Sequence, residues 1–128
     1  MTLHTAAHNQ PHPAEPGVLN LGEQAAEAIR ELNHRTRHHD ALADPAELSW
    51  LLADLAATAN RLPQLLDQLR TWLHHEHDTD RLRADTDTDP ADLIALTDAQ
   101  LNCARRHARH LAAAIETAHQ HTAHLATA

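Results

Sequence analysis

Histidine and glutamate residues at helical spacing are the side chains of this sequence with the clearest capacity for chemistry. Glu31 precedes His34 and Glu116 precedes His119 by three residues each, and His38 follows His34 by four. Residues three or four apart share one face of a helix, so such pairs can bind a divalent transition metal together. The same Glu-x-x-His spacing supplies ligands in di-iron helical bundles. One hypothesis is therefore a histidine-rich, metal-binding helical bundle with these five residues as ligands.

The 14 histidines of the chain also have a simpler interpretation. Several follow the apolar part of a predicted helix, where a cation stabilises the negative end of the helix dipole. Ala, Arg, His, Asp, Thr, Leu and Pro are abundant, which is typical of proteins from GC-rich bacteria such as actinobacteria. Moreover, Glu31, His34, Glu116 and His119 fall beside or away from the predicted apolar stripes, whereas di-iron ligands face the interior. The main prediction therefore includes no cofactor.

An arginine patch and an outward-facing tryptophan predict a binding surface instead. Arg105, Arg106 and Arg109 form the strongest local basic feature of a chain that has no lysine. Trp50 falls opposite the leucine stripe of its predicted helix, next to Leu51. Exposed large aromatic side chains are typical of protein contacts. We therefore predict a non-enzymatic interaction or regulatory module that binds a protein partner through these five residues and self-associates as a homodimer through helix faces.

Composition and charge restrict the other classes of function. The formal net charge of −8 disfavours nucleic-acid binding, so a small nucleic-acid-associated regulator is only the third hypothesis. Glycine occurs only at positions 17 and 22, which excludes phosphate-binding glycine loops. Cys103 is the only cysteine, so no internal disulfide can form, and the sequence has no secretory or membrane-spanning segment. We expect a cytoplasmic protein that is not an enzyme.

The elements that must position these residues are helices. Ala and Leu dominate, phenylalanine and tyrosine are absent, and glycine is rare, which favours an all-α fold. Residues 1–17 contain Pro11, Pro13 and Pro16 and are predicted to be a disordered tail. A single helical domain is predicted over 18–128, and its first helix spans about 18–38.

The second helix is predicted over about 45–76, with Asp44 as its N-cap and Pro45 in its first turn. Apolar residues recur along it at alternating spacings of four and three, as in a heptad pattern. They are Leu48, Leu52, Leu55, Ala59, Leu62, Leu66, Leu69 and Leu73. Pro63 lies beside this stripe without breaking its phase, so one kinked helix is expected, with two shorter helices as the alternative. Trp72 widens the stripe and is predicted to be in the core.

The third helix is predicted over about 90–125, beginning at Pro90 after Asp89. Its predicted stripe has smaller residues, which suits packing against the leucines of the second helix. The stripe consists of Ile94, Thr97, Leu101, Ala104, Ala108, Leu111, Ile115, Ala118, Thr122 and Leu125. Together these elements predict an antiparallel, up-down-up three-helix bundle.

Overall fold

The protein is helical throughout the part of the chain that the structure, a computed structural model, describes, which is residues 17–128. Its helices are α1 (Val18–Arg35), α2 (Pro45–Asp78) and α3 (Pro90–Thr122), and these residues form no strand. The predicted all-α fold is therefore confirmed. Of the predicted disordered tail, residues 1–16 lie outside the described residues.

α1 belongs to a unit that ends at Leu42, whereas α2 and α3 form a second unit, Ala43–Ala128. Within α1, Arg30 pairs with Glu27 at 3.1 Å and Arg35 pairs with Glu31 at 2.8 Å. The helix contains no buried residue. The predicted single domain, in which the first helix packs beside the other two, stays a prediction.

α2 and α3 begin where their N-terminal signals predict. The carboxylate of Asp44 accepts a hydrogen bond from the Glu47 amide at 3.0 Å, and the Glu47 carboxylate accepts one from the Ala43 amide at 2.7 Å. At α3, Asp89 accepts from the Ala91 amide at 3.0 Å. In each helix a proline occupies the first turn, where its missing N–H costs no hydrogen bond.

α2 ends in a turn that places Asp80 in the left-handed backbone region, with φ of 56°. The amide of Arg81 donates to the carbonyl of Glu76 at 2.9 Å, and the amide of Asp80 donates to the carbonyl of His77 at 3.1 Å. This is the hydrogen-bond pattern of a Schellman motif, whose left-handed residue is usually glycine.

Replacing Asp80 with glycine is expected to raise the free energy of unfolding by about 0.5 kcal/mol. The left-handed conformation costs a residue with a Cβ atom about 1–2 kcal/mol, and the greater freedom of glycine in the unfolded chain offsets part of that gain. Urea unfolding followed by circular dichroism measures the difference. Asp80→Ala is the control, because alanine removes the carboxylate but keeps the Cβ atom; an equal gain in this variant would contradict the backbone explanation.

Pro63 lies inside α2, which continues through it as one helix of 34 residues. The prediction of one long helix is therefore confirmed over the alternative of two. Proline has no N–H, so the carbonyl of Ala59 has no helical donor at position 63.

α2 and α3 pack against each other in antiparallel orientation. Asp67 contacts Arg105, Arg70 contacts Asn102, and His74 contacts Asp98, so the position along α3 falls as the position along α2 rises. Five alanine and isoleucine side chains are buried along this contact: Ala56, Ala59, Ile94, Ala108 and Ala112. Small residues at these places let the two helices approach closely.

The contact between the helices uses only part of the predicted stripes. In α2 every stripe residue but Leu69 is buried or half-buried, whereas in α3 about half of the stripe is exposed. In α3 the shared row is Ile94, Leu101, Ala108, Ile115 and Thr122, all buried or half-buried. The second predicted row, Thr97, Ala104, Leu111, Ala118 and Leu125, is exposed throughout. Its place is taken by the neighbouring row of Asp98, Arg105, Ala112 and His119, which is half-buried or buried. That part of the predicted stripe is therefore wrong, because polar side chains that pair across the contact occupy the positions next to the core.

The same rotation occurs in α2 and changes the position of its second tryptophan. Ala56, Pro63 and Arg70 are buried or half-buried, whereas Leu69 and Trp72 are 44% and 58% exposed. The prediction that Trp72 is in the core is wrong. The row to which it belongs turns away from α3.

Candidate functional site

A cluster of charged side chains bridges α2 and α3 along one side of their contact, which we call the polar edge. It consists of Asp67, Arg70, His74, Asp98, Asn102 and Arg105. Arg70 donates to both carboxylate oxygens of Asp98, from Nε at 2.8 Å and from Nη2 at 3.3 Å. His74 Nε2 lies 2.8 Å from the same carboxylate. Asp98 therefore has two nitrogen partners on the opposite helix, which fixes the longitudinal register of the pair.

The environment of Asp98 strongly favours its charged form. Hydrogen bonds from Arg70 and then from His74 lower the pKa of Asp98 to about 2, against a smaller opposing effect of burial. The hydrogen bond to Asp98 likewise raises the pKa of Arg70. Both groups are ionised at neutral pH, and their pairing is a structural bond rather than a proton-transfer site.

Asp98→Asn is expected to flatten the acid dependence of stability. Because the pKa of Asp98 is lower in the folded state than its ordinary value of 3.8, its contribution to folding is present above about pH 4. That contribution is lost as the pH falls towards about 2, so the wild-type protein loses more stability in this window than the variant does. Urea unfolding at a series of pH values measures the two slopes. Asp54→Asn, at an exposed position of α2, is the matched control and should keep the wild-type slope.

The three predicted arginine contacts have different surroundings. Arg105 is half-buried in the polar edge, where Nη2 donates to Asn102 at 2.7 Å and Nε lies 3.5 Å from Asp67. Its guanidinium is already used within the helical pair. Arg106 and Arg109 are exposed, and Arg109 lines an open polar groove of about 480 Å³ together with Pro63, Asp67 and others. The remaining groove residues are Asn60, Gln64, Gln68 and Thr71.

Trp50 and Leu51 lie far along the helical pair from these arginines. Trp50 is 68% exposed on the outer face of α2, as its position opposite the leucine stripe predicts, and Leu51 is half-buried. Arg105 lies level with Asp67, about 25 Å further along α2 at 1.5 Å per residue. The five residues predicted to bind a partner therefore do not form one continuous surface.

The five predicted metal ligands are only partly brought together. In the first unit, Glu31 pairs with Arg35, and the rings of His34 and His38 meet edge to face with centroids 6.3 Å apart. In α3, His119 Nδ1 lies 3.8 Å from Glu116 Oε1. Both α3 residues are half-buried beside the helix contact. Over residues 17–128 no group of three or more His, Cys, Asp or Glu side chains is placed to hold a metal ion.

The side of the helical pair opposite the polar edge is apolar. Leu66 and Leu101 lie in the contact between α2 and α3, and the residue after each of them, Asp67 or Asn102, points to the polar edge. The residue before such a contact position must then point to the opposite side, because successive residues are about 100° apart around a helix. This apolar edge contains Leu51, Leu62, Leu65, Leu69 and Trp72 of α2, and Leu93, Thr97, Ala104, Leu111, Ala118 and Leu125 of α3. Its other polar members are Thr58, Gln100, His107 and His121.

The α2 part of the apolar edge includes a row that the sequence pattern indicates. Leu51, Thr58, Leu65 and Trp72 lie parallel to the leucine stripe of the second helix and broaden it, so that this helix can contact two neighbours. The α3 part was assigned instead to the contact with the second helix. Large exposed apolar patches on a helical surface mark interaction sites.

The chain matches no family model, no curated protein and no solved structure. Among the helices of residues 17–128, none combines the length and the apolar character needed to cross a membrane. The exposed side chains of α2 and α3 are therefore the features of the protein that bear on its function.

Proposed function

We propose that this protein is a non-enzymatic helical interaction module that acts in the cytoplasm, binds a protein partner and self-associates. The observation that carries the proposal is the exposure of large apolar side chains on the apolar edge: Leu65 is 47% and Trp72 58% exposed. The unpaired thiol of Cys103 supports a cytoplasmic setting.

We propose that α1 packs on the apolar edge and so completes an up-down-up three-helix bundle. α1 presents an apolar stripe that includes Leu21, Ala25, Ile29 and Leu32. With the short connection after it, an antiparallel α1 reaches the half of the edge next to the N-terminus of α2, which holds Leu51 and Leu111. Burying this stripe stabilises both partners, since about 25 cal/mol is gained per Å² of apolar surface.

An α1 packed as proposed would leave the other half of the apolar edge uncovered. α1 has 18 residues and α2 has 34, which correspond to about 27 Å and 51 Å at 1.5 Å per residue. Leu65, Leu69 and Trp72 of α2, with Leu93 of α3, lie towards the loop between α2 and α3. We call these four residues the distal patch. It is the part of the surface that we assign to a protein partner, with Trp72 as the anchor because buried tryptophans dominate binding energy at interfaces.

Site-specific photo-cross-linking in the cells that naturally produce the protein tests this function. A photoreactive phenylalanine analogue at position 72 is expected to give covalent adducts with protein. The same analogue at Gln64, exposed in the polar groove on the other side of α2, is the matched control and should give few or none. Absence of protein adducts at position 72, or equal adducts at position 64, contradicts the proposal.

A further inference from the structure

We infer that the distal patch binds the same patch on a second copy of the chain, so that two helical pairs form a four-helix arrangement about a two-fold axis. This inference rests on the proposed function and names its partner. In such a dimer each surface faces itself, so the patch must be compatible with its own charge, shape and size.

The charge of the apolar edge meets the first condition. From Leu48 to Trp72 in α2 and from Leu93 to Leu125 in α3, its two rows in each helix contain no Asp, Glu or Arg, and His107 and His121 are their only titratable side chains. The next member of the Leu69 row, Glu76, is half-buried at the loop end. A patch with net charge would repel its own copy across a two-fold axis. The opposite side of the helical pair, by contrast, carries Asp67, Arg70, Asp98 and Arg105. The uncharged side is therefore the one on which two copies can meet.

The sizes of the side chains meet the second condition. At the distal end of the pair, α2 contributes the large side chains Leu65, Leu69 and Trp72, whereas α3 contributes Leu93 and the small Thr97 and Ala104. A two-fold axis that places α2 of one copy against α3 of the other sets the large side chains opposite the small ones. Large residues packed against small ones fill the space between helices without voids.

The exposed area meets the third condition. Four large apolar side chains at about half exposure leave on the order of 400 Å² of apolar surface on each copy. A standard interface buries about 800 Å² per partner, of which roughly 60% is apolar. The distal patch therefore supplies most of the apolar part of one stable interface.

Analytical ultracentrifugation of the full chain over a range of concentrations tests the dimer. The wild-type protein is expected to sediment as a dimer, and Leu69→Glu to raise the dissociation constant at least about thirtyfold, as expected for a residue at the centre of an interface. Thr71→Glu is the matched control, because Thr71 is exposed two residues away, in the polar groove on the other side of α2. This variant should dimerise like the wild-type protein. Circular dichroism confirms that both variants keep their helices.

A mixing experiment separates lost pairing from a folding defect. Leu69→Glu and Ala104→Lys should each be monomeric alone but form a mixed dimer, because the introduced glutamate of one copy then faces the introduced lysine of the other, while the second contact keeps its Leu69 and Ala104. A wild-type protein that stays monomeric at about 500 µM, above the range of specific dimers, overturns the inference, as does equal weakening by Thr71→Glu. If the protein is monomeric while position 72 still cross-links to a different protein, the inference of a second copy fails together with the self-association in the proposed function, whereas the binding of a protein partner stands. If no protein adduct forms at all, the proposed function itself fails.

Discussion

Replacing Ala112 with glutamate is expected to lower the free energy of unfolding by about 3 kcal/mol. Ala112 is 3% exposed at the contact between α2 and α3. A glutamate there forces a larger side chain into a packed space, which costs about 1–3 kcal/mol, and also removes a charge from water. Urea unfolding of the purified variant at neutral pH measures the loss.

The neighbouring residue offers a matched control for the register of the two helices. Ala113→Glu makes the same chemical change one position later, where the side chain is exposed, and should alter stability by less than about 0.5 kcal/mol. Equal losses in the two variants would contradict the observed register. A larger loss at position 113 than at 112 would require a rotation of α3.

Replacing Pro63 with alanine is expected to raise the free energy of unfolding by about 2 kcal/mol. Alanine restores the N–H that can donate to the carbonyl of Ala59, and it removes the clash of the proline ring with the preceding turn, which together cost about 3 kcal/mol. The unfolded chain gains freedom when proline is removed, which offsets up to about 1 kcal/mol of that benefit.

The thermal and urea unfolding of Pro63→Ala should be compared with those of Gln64→Ala. Gln64 is exposed beside Pro63 and already has its own N–H, so its replacement should change stability only slightly. A Pro63→Ala variant that is less stable than the wild-type protein would show that the proline packs too favourably against its surroundings to be a net cost.

The helices were predictable from sequence because their ends have strong local signals. Asp44 with Pro45 and Asp89 with Pro90 act within one turn, so the residues that fix the start of α2 and α3 are neighbours in the chain. The C-terminal ends were less accurate. α1 ends at Arg35 rather than near residue 38. At this end the Thr36 hydroxyl donates to the Leu32 carbonyl at 2.6 Å. Such tight terminal turns depend on hydrogen bonds that periodicity does not register.

The rotation of the helices about their axes was not predictable from apolar periodicity alone. Apolar periodicity assigns Ala104 and Leu111 to the contact with α2 and leaves out Asp98 and Arg105, although the two charged residues lie nearer to that contact. Asp98 tolerates this position because Arg70 and His74 reach it from the other helix. This pairing is a tertiary interaction, so it can be identified only when the relative positions of α2 and α3 are known.

The candidate site shows the same limit. Trp50 was predicted as an outward-facing residue and is exposed, yet the arginines chosen with it lie elsewhere on the helical pair. Arg105 attracted attention as part of a basic run, but the structure uses it to bind Asn102 and Asp67. Sequence spacing can identify residues that share a helix face. It cannot reveal which faces remain after the helices have packed.

The position of the Asp98 cluster near the loop also has a consequence for the order of folding. Arg70 and Asp98 are only 28 residues apart, so their contact closes a shorter segment of chain than any pairing between the far ends of α2 and α3. Closing a short segment costs less entropy, and proteins rich in local contacts fold quickly. We expect the helical pair to form from the loop outwards, so that the termini distant from the loop are the last to gain protection from hydrogen exchange.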